Sequence, residues 1–261
     1  MTHVTRPLAY AQPVRIAIVM AMELEAAPLR AALGAVPAEK PTWAQALTTT
    51  LCRAPQEGSR PEILLAVNGV DPVSGVACIG TTAAALTTHV VLNPADGVPP
   101  DLVLTIGTAG GWARAGAAIG DTYLAWPHFA CHDRRIDLPR FQAFGDANLP
   151  AADLRDAAAA IGALLGIVTT GDSLDESPTD RARILENGGV VKEMEAAAVA
   201  WVAHLHGVPV SGLKTITDLV DSDVPTPEQF SANLNTAAAS LQRSALALIE
   251  FLGADGLGAQ E

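Results

Sequence analysis

Short apolar runs alternate with stretches of helical spacing along most of this chain. The runs "VRIAIVM" (Val14–Met20), "EILLAVN" (Glu62–Asn68), "DLVLTIG" (Asp101–Gly107), "TYLAW" (Thr122–Trp126), "GIVTTG" (Gly166–Gly171), "VVKEM" (Val190–Met194) and "VPVSGLKTIT" (Val208–Thr217) predict strands. Helices are predicted for "ELEAAPLRAALG", for "GTTAAALTTHVVL" (Gly80–Leu92), for Glu195–His206 with Gly207 as its stop, and for Pro227–Leu252 capped by Gly253. "TAGGWARAGAAIGD", which follows the third run, reads as a Gly/Ala loop. Strands that are apolar on both sides belong in a sheet covered on both faces. The expectation is an α/β fold of three layers, α/β/α. No repeat, linker or composition break divides the chain. A single domain is expected over residues 14–253, with a flexible leader at 1–13 and a tail at 254–261.

The chain has 261 residues, and 49% of them are hydrophobic, enough for a sizeable core. The formal net charge of −12 argues against a nucleic-acid partner, which calls for a basic surface. No apolar run reaches membrane-spanning length, and "MTHVTRPLAYAQP" lacks the apolar segment of a signal peptide. A cytoplasmic protein without a membrane partner is expected. Cys52, Cys78 and Cys131 are scattered, which suits a reducing compartment. They have no metal-ligand spacing, and His204 and His206 form no H-E-x-x-H pattern, so neither metal nor cofactor is expected.

In sheets of this kind ligands sit at the carboxyl ends of the strands. The predicted turns there carry Glu23 and Glu25, "GTAGG", "GDSLD", Glu193 with Glu195, and Asp218. Any one of these acids has a structural explanation, as a cap for helix N–H groups and a complement to the helix dipole. A whole rim of carboxylates suits general acid–base work better, provided the acids sit in unlike environments. Asp218 ends an apolar strand, so burial should raise its pKa, and Asp221 and Asp223 would add like charge. Glu25 opens a helix, which favours its anion. "DLVDSD" lacks the glycine and the final glutamate of a calcium loop.

Taken together, "IAIVMAMELEAAPL", "TIGTAGG", "TTGDSLDES", "VVKEMEAAAVAWVA" and "LKTITDLVDSDVPTPEQF" resemble the motifs of the 5′-methylthioadenosine/S-adenosylhomocysteine nucleosidases. The similarity is greatest to the plant-type branch, through "GDSLD", "HDRRI" and "TDLVDxDxPT", and it runs from about Val14 to Leu252. It implies the nucleoside phosphorylase fold, built on a central mixed sheet, and a homodimer. It implies Glu25 as the carboxylate that activates water and Asp218 as the acid that protonates the purine N7. It implies Glu195 as the holder of the ribose hydroxyls and Met194 as the sugar's neighbour. Met22, Ile79 and Thr108 would line the site, and Leu174 would stand where many bacterial members place an aromatic over adenine. Ile136 and Phe141 would wall the substrate tail from the partner subunit. Glu193 is open: if the strand continues to Met194 it faces as Glu195 does, and if the helix starts earlier the two diverge.

The activity so implied is hydrolysis of 5′-methylthioadenosine, with S-adenosylhomocysteine as a further substrate, in methionine salvage. Three other readings compete with it. "TIGTAGGW" is not the G-x-G-x-x-G of a dinucleotide site. A purine nucleoside phosphorylase would place phosphate near "IGTT" and needs a basic residue for it; none sits in "ACIGTTAAAL", and the candidates elsewhere are Arg30, Arg134 and Arg135. A nucleoside-binding or storage protein would have no reason to combine Glu25, Glu195 and Asp218.

Overall fold

A computed structural model describes residues 15–136 and 138–254. The leader expected at 1–13 and residues 255–261 of the tail lie outside the described residues. The strands are β1 (Arg15–Met20), β2 (Val36–Pro37), β3 (Thr50–Ala54), β4 (Glu62–Val67), β5 (Leu102–Gly111), β6 (Thr122–Cys131), β7 (Leu149–Pro150), β8 (Leu164–Thr170), β9 (Gly189–Glu193) and β10 (Val210–Leu219). The helices are α1 (Glu23–Ala32), α2 (Thr81–Leu92), α3 (Gln142–Asp146), α4 (Arg155–Ile161), α5 (Pro178–Glu186), α6 (Ala196–Leu205) and α7 (Thr226–Ala254).

The sheet is mixed. β4, β1, β5 and β10 run parallel in that order, with β3 antiparallel on the β4 edge and β2 beyond it. β6 pairs antiparallel with β10 and carries β7 at its far end, then β8 and β9 follow in parallel. β9 returns to pair antiparallel with the end of β5, at Gly110 and Gly111. Strands β5, β10, β6, β8 and β9 therefore form a closed ring. Closure brings the ends of β5, β9 and β10 together, which an open sheet would keep apart.

Each face of the sheet has its own apolar core. Ile16, Ile18 and Met20 of β1 pack toward α1, α4 and α7, together with Leu29, Leu248 and Leu252. Ala17 and Val19 face the α2 and α6 side, together with Ala84, Val91 and the alanines of α6. This double burial explains the unbroken apolar run in β1, since successive side chains point to opposite faces. Fully burying an Ile or Leu contributes about 1.5–3 kcal/mol.

Several elements differ from the sequence reading. "TAGG" is not a loop but the last part of β5, paired along β10. Its glycines serve close packing: a Cβ at Gly111 would lie 2.8 Å from the Ala117 Cβ. Strand β6 runs on past Trp126 to Cys131, with a register shift between Ala125 and Phe129 around Pro127. Helix α7 continues through Gly253 instead of stopping there. That glycine is required by contact, because a Cβ would lie 2.4 Å from the Ser59 carbonyl oxygen. β10 extends to Leu219, so Asp218 stands on the strand rather than after it. Among the described residues no helix is long and apolar enough to cross a membrane.

Candidate active site

The carboxyl ends of β1, β5, β9 and β10, the loop after β8 and the start of α2 surround a cavity of about 180 Å³. Every site residue expected from within one chain lines it: Met22, Glu25, Ile79, Thr108, Leu174, Glu193, Met194, Glu195 and Asp218. Ile79 and Leu174 are half-exposed at its mouth. Ile136 and Phe141 follow β6 and are not part of this lining; Phe141 is half-exposed.

Glu25 stands in the first turn of α1 and is 3% exposed. Its Oε1 accepts from the Thr108 N–H at 2.7 Å and from the Thr108 hydroxyl at 2.6 Å. Burial pushes its pKa up, against the pull of Thr108 and of the Lys214 ammonium. A raised proton affinity suits a group that is to take a proton from water.

Glu193 ends β9, and the helix begins only at Ala196. Its carboxylate turns into the helix start, accepting from the Glu195 N–H at 3.0 Å and from the Ala196 N–H at 2.9 Å. Thr170 donates its hydroxyl to the same group, and Lys214 pairs with it at 3.0 Å. Glu193 is thus occupied by α6, Thr170 and Lys214 although it borders the cavity. Glu195 diverges from it and reaches α2, where the Gly80 N–H donates to its Oε1 at 2.8 Å. Burial and the Glu193 charge push the Glu195 pKa up to about 7, with Lys214 and the Gly80 N–H opposing.

Asp218 is 3% exposed and lies over Gly110, where a Cβ would come within 2.7 Å of its Oδ2. The Thr217 hydroxyl donates to Oδ1 at 2.7 Å. Burial raises its pKa, while Thr217 and the Lys192 charge work the other way. The like-charge neighbour is Glu176, not Asp221 as the sequence suggested. Asp221 is taken by the Ala113 and Arg114 N–H groups and by the Arg114 guanidinium, at 2.8, 3.1 and 3.0 Å. Its pKa is held low in spite of burial.

Lys192 and Lys214 escaped the sequence reading. Both lie in expected strands directly after an apolar residue, Val191 and Leu213, and that placement was the available signal, because a lysine is seldom buried without a partner. Lys214 is 2% exposed and also donates to the Thr105 hydroxyl at 3.3 Å. Burial disfavours its charge, yet Glu193, Glu195 and Glu25 raise its pKa overall. Asp172 of "GDSLD" crosses to α2, accepting from the Thr81 N–H and hydroxyl, each at 2.6 Å. The three arginines considered for phosphate are engaged elsewhere: Arg30 with Glu23, Arg135 with Asp180, and Arg134 over the Phe144 ring. His132 is buried against Gly171, and burial with the nearby Lys192 charge lowers its pKa to about 4. Among the described residues no cluster of His, Cys, Asp and Glu is placed to share a metal ion.

A closed strand ring with a carboxylate-lined pocket at the strand ends defines a class, and residues 15–252 match the family model of the phosphorylase superfamily. A 5′-methylthioadenosine nucleosidase of Arabidopsis thaliana is 34% identical over 242 residues, 93% of this chain and 88% of that relative. A 5′-methylthioadenosine/S-adenosylhomocysteine nucleosidase of the same plant is 34% identical over 237 residues, 91% of each chain. The solved apo structure of the Arabidopsis thaliana 5′-methylthioadenosine nucleosidase matches with a TM-score of 0.87 at 34% identity, covering 97% of this chain and 99% of that one. The chain belongs to the phosphorylase superfamily, and within it to the 5′-methylthioadenosine/S-adenosylhomocysteine nucleosidase family.

Proposed function

We propose that this chain hydrolyses the N-glycosidic bond of 5′-methylthioadenosine, releasing adenine and 5-methylthioribose, with S-adenosylhomocysteine as a second substrate. The observation that carries this reading is the charge of the pocket. Glu25, Glu195 and Asp218 converge on it, and the two lysines that line it are already engaged by protein oxygens. The start of α2, where a phosphate would bind best, is filled by the carboxylates of Glu195 and Asp172. A phosphate dianion would meet four acidic groups, whereas a neutral water would not be repelled.

The Glu195 anion accepts hydrogen bonds from the ribose hydroxyls and fixes the sugar. As the C1′–N9 bond breaks, positive charge grows on the ribose and negative charge on adenine. Glu25 and Glu195 stabilise the first, and the proton of buried Asp218 passes to N7 and neutralises the second. Glu25 takes a proton from the water whose oxygen bonds to C1′. Solvent later restores the Asp218 proton and removes the one on Glu25. The proposal extends to a homodimer in which Ile136 and Phe141 of a second copy close the end of the pocket over the 5′ substituent, and to a cytoplasmic role in methionine salvage.

The test is incubation with 5′-methylthioadenosine in phosphate-free buffer, following free adenine and reducing sugar. Both should appear in equal amounts. A sugar 1-phosphate formed on addition of phosphate would move the chain to the phosphorylases.

A further inference from the structure

We infer that Lys192 is a positioning residue for the leaving-group half of this site, holding the loop after β8 and placing a positive charge opposite the acid. The inference rests on the nucleosidase reading and deepens it.

Register puts the lysine there. Lys192 of β9 pairs with Gly110 of β5, and Gly110 pairs with Asp218 of β10. Residues paired directly across strands project from the same face. Lys192 and Asp218 therefore flank Gly110 on the cavity side, two strand spacings or about 10 Å apart at Cα. The central position has no side chain, and Asp218 leans over it toward the lysine. The Lys192 ammonium donates to the carbonyl oxygens of Ser173 and Leu174 at 3.0 and 2.7 Å. It thereby fixes the backbone that carries Leu174 at the mouth of the pocket.

Holding two carbonyls needs only a neutral donor. Lys192 is 4% exposed, and burying a charge is unfavourable unless other charges answer it. Those that do are Glu176 and Asp175 of the loop, Asp218 of β10 and Asp180 of α5; burial still leaves the Lys192 pKa below that of a free lysine, and these acids work against that fall, while His132 beyond β6 is held neutral. Asp218 in turn faces Glu176 with like charge and the Thr217 hydroxyl, and α7 presents the apolar Phe230 to the cavity. Burial and Glu176 favour the protonated acid; Lys192 opposes both. Its charge keeps Asp218 a strong enough acid to part with its proton as the glycosidic bond breaks.

Three variants separate the two duties: Lys192→Gln keeps a donor without charge, Lys192→Met keeps neither, and Lys192→Arg keeps both. The measurement is kcat/KM and KM for 5′-methylthioadenosine across pH. Activity should fall at alkaline pH as Asp218 loses its proton. In Lys192→Gln and Lys192→Met that limb should move up by about one pH unit, the size expected for one charge at this range. Lys192→Arg should leave the limb in place. KM should rise at least tenfold in Lys192→Met and less in Lys192→Gln. A purely structural lysine would give the KM changes with an unmoved limb, and that result overturns the charge role; unchanged KM in Lys192→Met overturns the loop role. If Lys192→Met does not fold, Lys192→Gln against Lys192→Arg still decides the charge. Wild-type protein that releases no adenine would defeat the nucleosidase reading itself, a different outcome from any of these.

Discussion

Replacing Asp218 with asparagine tests the acid at a site where little else changes. The side chain is 3% exposed and keeps its shape, and the Thr217 hydroxyl can donate to the new amide oxygen as it does to Oδ1 at 2.7 Å. Folding should survive, with a stability change of about 1 kcal/mol or less at low pH, the scale of one altered hydrogen bond. The sign of the pH dependence is set by burial. A carboxyl whose pKa is raised on folding lends stability at low pH and loses it as pH rises through the folded value. The asparagine variant escapes that loss, so its melting temperature should gain on the wild type as pH rises.

Catalysis should respond far more strongly. The amide can hydrogen-bond to N7 but cannot transfer a proton, and loss of general acid catalysis is worth about 10²–10⁴ in rate, or about 2.7–5.5 kcal/mol. A hydrogen bond that only positions the base is worth about 0.5–1.5 kcal/mol, at most about a tenfold loss. The assay compares turnover of wild type and Asp218→Asn on 5′-methylthioadenosine and on a 5′-methylthioriboside of 4-nitrophenol, whose leaving group needs no proton. The adenine nucleoside should lose about a hundredfold or more, and the activated substrate much less. Equal losses on the two would show that Asp218 only positions the base.

Three further expectations follow from the same geometry. Glu25→Gln should abolish hydrolysis while nucleoside binding, measured by calorimetry, stays within about threefold, because the amide keeps the Thr108 hydroxyl contact but cannot accept a proton from water; near-normal turnover would place the base elsewhere. With the Glu195 pKa raised to about 7, sugar binding by its anion should weaken as pH falls below 7, so kcat/KM should drop about tenfold per unit there and the drop should disappear in Glu195→Gln. Leu138, Phe141 and Phe144 are exposed together after β6, so light scattering at micromolar concentration should report a dimer that Phe141→Glu weakens; a monomeric wild type would refute it.

The pattern of the chain was enough for the layers. A run such as Ile16–Met20, apolar on successive residues, implies burial on both faces of a sheet, and β1 packs in that way between two cores. The acids were visible too, at or near the ends of buried strands, and Glu25, Glu195 and Asp218 all border one cavity. What periodicity could not reveal depends on contacts between distant parts of the chain. The glycines of "TAGG" look flexible until β10 and Ala117 are laid against them, after which they are the only residues that fit. Asp221 and Asp218 look alike as letters, yet Arg114 pairs with one and lowers its pKa, while burial raises that of the other. The division between Glu193 and Glu195, two residues apart, was settled by Lys214 on β10 and Gly80 at the start of α2. Hydrophobic period is a property of neighbours along the chain, whereas the charge and proton affinity of a buried group belong to whatever the closed ring of strands brings beside it.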